Sequence, residues 1–293
     1  MLKLLCISYL LIAADPNPDS TIRGKAGSSD IVITTTKRLA GAIHSVQWNG
    51  KEFIDSTDHG RQLQSASNFD LGKKFIPEVF NPTEAGSMSD GAGPKSSSKL
   101  LKLEAVRDEL CTTIQMAFWL RPGEKSAGRP AYNDRVLSDH LLTKRVKIGM
   151  KDLPHAIEYE TTFVVPKEPH TFAQFEAVTG YMPAEFDTFW KLDPKTGKLH
   201  PLDDGPGEQP WAVVLATADG KYAMGAWAPP HEVFQGPGFG RWRFKAEKVV
   251  KWNAVFRLRN MAGISAGDYR FRIYVAVGSL EDVRRTLTAL QSR

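Results

Sequence analysis

The segment from Asp55 to Asp70, DSTDHGRQLQSASNFD, concentrates side chains that form planar, multidentate hydrogen bonds. In an extended chain, successive side chains point to opposite faces. One face would carry Asp58, Gly60, Gln62 and Gln64, and the other His59, Arg61, Leu63 and Ser65. Neither face is apolar enough for the middle of a core. The segment is therefore predicted to cross the mouth of a cleft, where such side chains bind the hydroxyls or carboxylates of a sugar.

Cleavage of a glycosidic bond needs one group that protonates the leaving oxygen and a second group that acts as a base. Candidates for these roles lie in polar segments, many of them rich in glycine or proline, beside apolar runs. The predicted catalytic residues are His59, Glu84, His140, Tyr181 and Glu208.

The predicted substrate-binding residues combine hydrogen-bonding side chains with the aromatic faces on which sugar C–H surfaces pack. They are Arg61, Gln62, Gln64, Asn81, Trp190, Arg241 and Trp242. With a uronic acid polymer, Arg61 together with Gln62 or Asn81 would neutralise the carboxylate. Tyr181 or His140 would then serve as base or acid, which is the chemistry of a polysaccharide lyase.

Each candidate also has a purely structural interpretation. Arg61 could pair with Asp55 or Asp58 at the surface. Tyr181 and Trp190 could be aromatic residues of the core or its rim, and Glu84 could accept a hydrogen bond from a backbone amide. For the histidines, a structural role is the more common one for any single residue.

Motifs for metal, phosphate or nucleophilic chemistry are absent from the sequence. It contains no H-E-x-x-H, Walker loop or G-x-S-x-G. We therefore predict no metal and no cofactor. The formal charge of +5 is small for 293 residues, and basic and acidic residues are interspersed, so nucleic acid is not the expected partner. An acidic glycan is compatible with this charge.

The elements that must position these residues are strands. HAIEYETTFVVP and DYRFRIYVAVG both alternate apolar with polar residues, as strands of a half-buried antiparallel sheet do. Asn49-Gly50 and Asp219-Gly220 each separate two strand-like runs, which is the strongest short hairpin signal. A helix is predicted from about Leu280 to Leu290, capped by Ser279. Long polar connections span residues 81–99 and 121–135.

This pattern predicts an all-β fold, a large antiparallel two-sheet sandwich with long decorated loops and a C-terminal helix. No internal repeat divides the chain, so we predict a single domain over residues 15–293. After the leader, no segment is long and apolar enough to span a membrane. The oligomeric state is not predicted.

The opening hairpin, RLAGAIHSVQWNGKEFID, resembles the first hairpin of galactose-mutarotase-like proteins, and DHGRQLQ is similar to their early Gly-Arg segment. The resemblance implies a carbohydrate-active β-supersandwich and a sugar-facing role for Arg61. Aldose 1-epimerases of that superfamily carry a catalytic histidine in an H-x-Y-F-N-like segment, which this sequence lacks. Its nearest histidine context is LSDHLLTKR at His140.

Three classes of function follow from these observations. The first is an enzyme that cleaves an oligo- or polysaccharide, neutral or acidic, by general acid/base chemistry, as a lyase or a glycoside hydrolase. The second is a sugar isomerase like an aldose 1-epimerase. The third is a non-catalytic sugar-binding or envelope protein. The discriminating feature is whether two titratable side chains face each other across one cleft.

The first fourteen residues, MLKLLCISYLLIAA, have the layout of a short secretory signal, with an apolar N-terminal strand as the alternative. The signal interpretation predicts a periplasmic or secreted protein. Only Cys111 would then remain, and a lone cysteine excludes an internal disulfide.

If this leader is a signal, exported protein should begin near Ala14 or Asp15, because two small residues precede the polar DPNPDS. N-terminal sequencing of the exported material tests this, and an intact Met1 would contradict it.

Overall fold

The computed structural model describes residues 19–293, so the predicted leader lies outside the described residues. The first ten strands are β1 Ser20–Ala26, β2 Ser29–Thr35, β3 Ile43–Trp48, β4 Lys51–Glu52, β5 Leu63–Phe69, β6 Pro82–Thr83, β7 Lys99–Val106, β8 Glu109–Phe118, β9 Lys125–Ser126 and β10 Arg129–Pro130. The next six are β11 Leu137–Met150, β12 Leu153–Val165, β13 Phe172–Pro183, β14 Thr188–Leu192, β15 Leu199–Leu202 and β16 Gly207–Gln209. The last elements are β17 Val213–Ala216, β18 Ala223–Trp227, β19 Gln235–Phe244, β20 Val249–Arg259, β21 Gly267–Gly278 and the helix α1 Leu280–Gln291.

Two large antiparallel sheets follow from the strand pairings. The first sheet runs β1-β2-β3-β5-β13-β20-β19-β16, with β4 extending the hairpin of β3. The second runs β7-β8-β11-β12-β21-β18-β17-β14-β15. The short strand β6 pairs with β5 of the first sheet and β8 of the second, and so joins the two. The predicted all-β antiparallel sandwich is confirmed.

The main hydrophobic core combines buried side chains of both sheets. In β12 the residues Ile157, Tyr159 and Phe163 of the predicted apolar face are buried, and in β21 so are Phe271 and Ile273. Alternate residues of these strands therefore face the core, as the period of two requires.

The helix α1 packs on the outer face of the second sheet. Ser279 and Asp282 form a capping box, in which each side chain satisfies a backbone amide at the helix start. Val283, Leu287 and Leu290 are buried in a second apolar cluster with residues of the sheet. The predicted helix is confirmed. No helix within residues 19–293 is long and apolar enough to cross a membrane.

The Asn49-Gly50 turn has positive φ angles of 49° and 72° and joins β3 to β4, as predicted. Asp219 and Gly220 lie in the six-residue connection between β17 and β18, in which Gly220 has a positive φ of 66°. The segment that precedes β5, in contrast, is a series of turns rather than an extended strand. The Arg61 amide donates to the Asp58 carbonyl, so the alternation predicted for residues 58–62 is wrong and begins only at Leu63.

A fully buried ion pair lies where the two sheets meet. Lys144, on the core face of β11, contacts the carboxylate of Glu84, which follows β6, and both side chains are inaccessible to solvent. Glu84 Oε2 also accepts a 2.9 Å hydrogen bond from the Ser65 amide of β5. Tyr159 lies beside the pair, with the Lys144 ammonium 5.9 Å from the centre of its ring. One carboxylate therefore connects the first sheet to the second.

Replacing Glu84 by Gln should lower the free energy of unfolding by about 3–5 kcal/mol, because Lys144 would stay buried without its counter-charge. Urea unfolding followed by circular dichroism measures this. The matched control is Glu104→Gln, which breaks the exposed pair between Lys102 and Glu104 at 3.0 Å and should cost less than about 1 kcal/mol. An equal decrease in the free energy of unfolding in the two variants would show that the buried pair contributes no more to stability than an exposed pair.

Candidate functional site

A cleft of about 480 Å³ opens on the outer face of the first sheet, on the side opposite the core. Its floor is formed by neighbouring strands β5, β13, β20 and β19, and its edges by β16 and by loops. The floor and edges carry Gly60, Gln64, Ala66, Asn68, Pro77, Glu78, Asn81, Thr83, Trp119, Gln174, Glu176, Thr179, Tyr181, Glu208, Trp242, Phe244, Lys251, Asn253, Val255 and Arg257. We call this surface the sheet cleft.

Strand register arranges the polar floor in rows. One row runs from Gln64 through Thr179 to Asn253, and a second from Asn68 through Gln174 to Arg257. Side chains directly opposite on neighbouring antiparallel strands lie about 4.5–5.5 Å apart. Each row therefore presents a line of amide, hydroxyl and guanidinium groups at the spacing of hydrogen-bonding neighbours.

A β-bulge in β13 gives the floor its composition. The register against β20 shifts between Glu176 and Val178, and both Ala177 and Val178 are buried. The extra residue reverses the alternation, so Thr179 and Tyr181 return to the face that Glu176 occupies. Without the bulge these two side chains would point into the core.

Glu176 lies at the centre of the floor and is mostly buried. Its Oε2 atom accepts hydrogen bonds from Thr179 Oγ1 at 2.9 Å and Asn253 Nδ2 at 3.2 Å, and Lys251 Nζ is 3.4 Å away. Its Oε1 atom accepts no hydrogen bond within residues 19–293. The carboxylate is thus held in place through one oxygen, and the other is left to accept from a ligand.

The charges of Glu176 and Lys251 stabilise each other. Burial would raise the pKa of Glu176, but the charge of Lys251 and the hydrogen bonds from Asn253 and Thr179 lower it below its usual value. Burial would lower the pKa of Lys251, but the charge of Glu176 raises it well above its usual value. Both groups are therefore ionised at neutral pH.

Aromatic rings form one wall of the sheet cleft around Lys251. The ammonium lies 5.1 Å from the ring centre of Tyr181 and 4.9 Å from that of Trp242. Tyr181 stacks on Phe244 with an interplanar angle of 20°. Such a wall offers flat apolar faces beside a polar floor, and C–H surfaces of a ligand can pack on those faces.

A second ion pair closes the opposite end. Arg257 donates two parallel hydrogen bonds, at 2.8 and 2.7 Å, to the two carboxylate oxygens of Glu208. Its Nε atom donates to Gln174 Oε1 at 3.0 Å. Two glycines of β19 leave space for side chains of the cleft. A Cβ on Gly238 would lie 2.3 Å from Glu208 Oε1, and a Cβ on Gly240 would lie 2.3 Å from the Trp242 ring.

Five residues predicted from the sequence line the sheet cleft, although they come from distant segments. They are Gln64, Asn81, Tyr181, Glu208 and Trp242. Gln64 donates to the Gly60 carbonyl at 2.9 Å, and Asn81 donates to the Ser67 carbonyl at 2.7 Å. The roles predicted for these five residues stay predictions.

The other predicted residues of the early segment are engaged in the fold. The ring nitrogens of His59 lie 2.7 and 2.9 Å from the carbonyl oxygens of Gly91 and Arg38, and its side chain is buried. Arg61 pairs with Asp58 at 3.2 Å and Asp55 at 3.7 Å, the surface pairing given as its alternative. Gln62 is buried and donates to the Asp58 carbonyl. Arg61 therefore does not line the sheet cleft, because its guanidinium pairs with carboxylates of its own segment, and the sugar-facing role stays a prediction.

Four more predicted residues lie away from the sheet cleft. Glu84 is enclosed in the core with Lys144. His140 is buried beside Glu168, and burial lowers its pKa despite the hydrogen bond to that carboxylate. Trp190 packs against the apolar cluster under α1. Arg241 is occupied by hydrogen bonds to Asp203 and Gln209. These four do not form a common face with Tyr181 and Glu208.

The central residues of the cleft, Glu176 and Lys251, were not predicted from the sequence. Both lie in strands whose apolar residues indicate the core, and their polar neighbours fit a solvent-facing side equally well. In hindsight the signal is the density of hydrogen-bonding groups on that side, namely Gln174, Glu176 and Thr179 in β13 and Lys251, Asn253 and Arg257 in β20. Only the pairing of β13 with β20 shows that the two polar faces form one surface.

No protein-family model and no curated protein matches this sequence. Solved structures with a similar fold include an alpha-mannosidase from Enterococcus faecalis V583, with a TM-score of 0.50, 11% identity, 89% of this chain and 30% of that chain covered. The Slr1438 protein from Synechocystis sp. PCC 6803 has a TM-score of 0.47 and 12% identity over 92% of this chain and 99% of its own.

A galactose mutarotase-like protein from Clostridium acetobutylicum has a TM-score of 0.41 and 10% identity over 88% of this chain and 94% of its own. The distant galactose-mutarotase-like resemblance predicted from the first hairpin is confirmed as a likeness of fold alone. This chain spans about 30% of the length of the alpha-mannosidase.

Replacing Glu176 by Gln should lower the pKa of Lys251, since the charge of Glu176 is the largest contribution that opposes burial and only Tyr181 would then remain to oppose it. Side-chain NMR of lysine-labelled protein, titrated with pH, measures this. The matched control is Glu104→Gln, which removes a carboxylate from the exposed pair with Lys102 and should leave the titration of Lys251 unchanged. An unchanged pKa of Lys251 in Glu176→Gln would mean that Glu176 does not control the charge of this lysine.

Proposed function

We propose that the sheet cleft binds a neutral carbohydrate. The observation that carries this proposal is the combination of a polar floor, in rows of hydrogen-bonding groups, with an aromatic wall made by Tyr181, Trp242 and Phe244. Sugars have hydroxyls that need multidentate donors and acceptors, and C–H faces that pack on aromatic rings.

The charges of the cleft favour a neutral ligand over an acidic one. Both cations of its lining, Lys251 and Arg257, are already paired with Glu176 and Glu208. Glu78 adds a further carboxylate to the same surface. A uronate would have to displace an internal partner and approach three carboxylates, which is electrostatically unfavourable. The proposed ligand is therefore a neutral oligo- or monosaccharide.

As a second candidate, we propose that the bound sugar undergoes proton transfer at Glu176. The specific observation is that Glu176 Oε1 accepts no hydrogen bond in the described part of the chain, while Oε2 is held by three donors. An ionised, positioned carboxylate with one open oxygen is suited to act as a general base. The phenol of Tyr181, on the same face, is the candidate proton donor. This pair serves glycan cleavage or sugar epimerisation.

The fold comparison supports a sugar ligand without specifying a reaction. A protein named as an alpha-mannosidase contains a region of similar fold. Because this chain corresponds to only part of that protein, mannosidase activity itself is not proposed for it.

The test is a screen of the purified full chain against neutral and acidic saccharides by calorimetry. Neutral saccharides should bind, and Trp242→Ala should weaken binding by roughly tenfold through loss of its packing surface. Glu176→Gln should weaken binding by at least about tenfold, because hydrogen bonds to a charged group contribute about 1.5–3 kcal/mol. The matched control is Trp211→Ala, since Trp211 pairs with His200 outside the cleft and should not affect binding.

Turnover is read in the same samples from new reducing ends, from the absorbance of unsaturated products and from anomeric exchange. These readouts separate hydrolase, lyase and epimerase chemistry. Binding without turnover would support the proposal of sugar binding and refute the proposal of proton transfer at Glu176. Binding that is restricted to acidic polymers, or that survives both cleft substitutions, would refute the proposal of a neutral sugar in this cleft.

A further inference from the structure

Away from the sheet cleft, three metal-ligating side chains converge at one point. The Nε2 atoms of His140 and His170 lie 3.1 and 2.8 Å from the same oxygen, Oε2 of Glu168. The ligand atoms of all three residues lie within 4.8 Å of one another. Two imidazole nitrogens and one carboxylate oxygen at such separations are the donor set that zinc and other first-row divalent ions take in proteins.

The protein holds these side chains rigidly. His140 comes from the core face of β11, while Glu168 and His170 lie in the connection between β12 and β13. Both imidazoles pack against Phe69, with ring centres 4.9 and 4.4 Å away. The backbone of His170 is fixed as well, because its carbonyl accepts a 2.7 Å hydrogen bond from the Ile264 amide. The site is thus preorganised by packing rather than by the three polar groups alone.

The surroundings of His170 fit a metal on its Nε2 atom. Its Nδ1 atom is buried and has no hydrogen-bond partner among the described residues. That atom faces Asp70, whose Oδ1 lies 3.9 Å away. In a neutral ring that donates from Nε2, Nδ1 presents a lone pair to this carboxylate, which is unfavourable. With a metal on Nε2, the proton moves to Nδ1 and points toward Asp70, as in the carboxylate–histidine–metal arrangement.

One side of the cluster is open. Glu168 is partly exposed and lines a surface cavity of about 450 Å³ together with Asn133, Tyr132 and Phe118. The Oδ1 atom of Asn133 is a buried acceptor for which residues 19–293 supply no donor. A metal held by three protein ligands keeps a further position for water or a small ligand. The cavity on the Glu168 side gives that position access to solvent.

We propose that His140, Glu168 and His170 form a binding site for one first-row divalent transition metal ion, with zinc as the best fit, whose open position faces this cavity. The site is separate from the sheet cleft and does not depend on the proposed sugar. It differs from the expectation of no metal, which rested on the absence of a local motif. The ligands are separated by 28 residues in one interval and by two in the other.

The experiment uses the full chain after treatment with a chelator, titrated calorimetrically with Zn²⁺. One ion per chain should bind, while Mg²⁺ and Ca²⁺, which prefer oxygen ligands, should not. Glu168→Gln should weaken zinc binding by at least roughly tenfold. The matched control is His200→Ala, which removes an exposed histidine lying 3.8 Å from Asp193 and should leave zinc affinity unchanged.

Two results would overturn the proposal. One is wild-type protein that binds no zinc. The other is zinc binding that is equal in wild type and folded Glu168→Gln, or that disappears in His200→Ala. If circular dichroism shows that Glu168→Gln does not fold, NMR of the imidazole nitrogens in the wild type tests the site instead. Added zinc should shift the Nε2 signals of His140 and His170 and transfer the His170 proton to Nδ1, whereas shifts confined to other histidines would reject the site.

Discussion

The buried pair of Glu84 and Lys144 is the interaction on which the arrangement of the two sheets depends. Lys144 belongs to the second sheet, Glu84 follows the strand that joins the sheets, and the Ser65 amide that donates to Glu84 belongs to the first sheet. An ion pair without solvent has a large desolvation cost, so it persists only where both partners are held by the surrounding structure. The pair therefore fixes β5 relative to β11. Because β5 supplies Gln64 and Asn68 to the outer face, the geometry of the sheet cleft depends on this internal contact.

The cleft is possible because the first sheet has a polar outer face and an apolar inner face. Strands β13 and β20 bury Phe175, Trp252 and Phe256 on one side and carry Glu176 and Lys251 on the other. The bulge in β13 is the feature that adds Thr179 and Tyr181 to the polar side. An aromatic ring and a carboxylate thus share one face of a strand although their separation in sequence, five residues, would place them on opposite faces of a regular strand.

The charges that surround a site restrict what that site can bind. In the sheet cleft the two cations are paired, which favours neutral ligands. At the His140 cluster, in contrast, two imidazoles and a carboxylate converge while a second carboxylate, Asp70, lies behind one imidazole. A cation at their centre would complete the charge balance there. The two sites therefore suit ligands of different chemistry, one neutral and one cationic.

The sequence by itself determined the elements, because strand alternation, the Asn49-Gly50 turn and the Ser279 cap are local signals with a fixed geometry. It also singled out polar and aromatic side chains that lie together, since Gln64, Asn81, Tyr181, Glu208 and Trp242 line one cleft. Tertiary structure alone decided which polar residues are available. His59 looks free in sequence but contacts the carbonyls of Gly91 and Arg38, Glu84 pairs with Lys144 in the core, and Glu176 becomes central through strand pairing. Whether a polar side chain meets solvent, core or another charge depends on contacts distant in sequence, which no local pattern encodes.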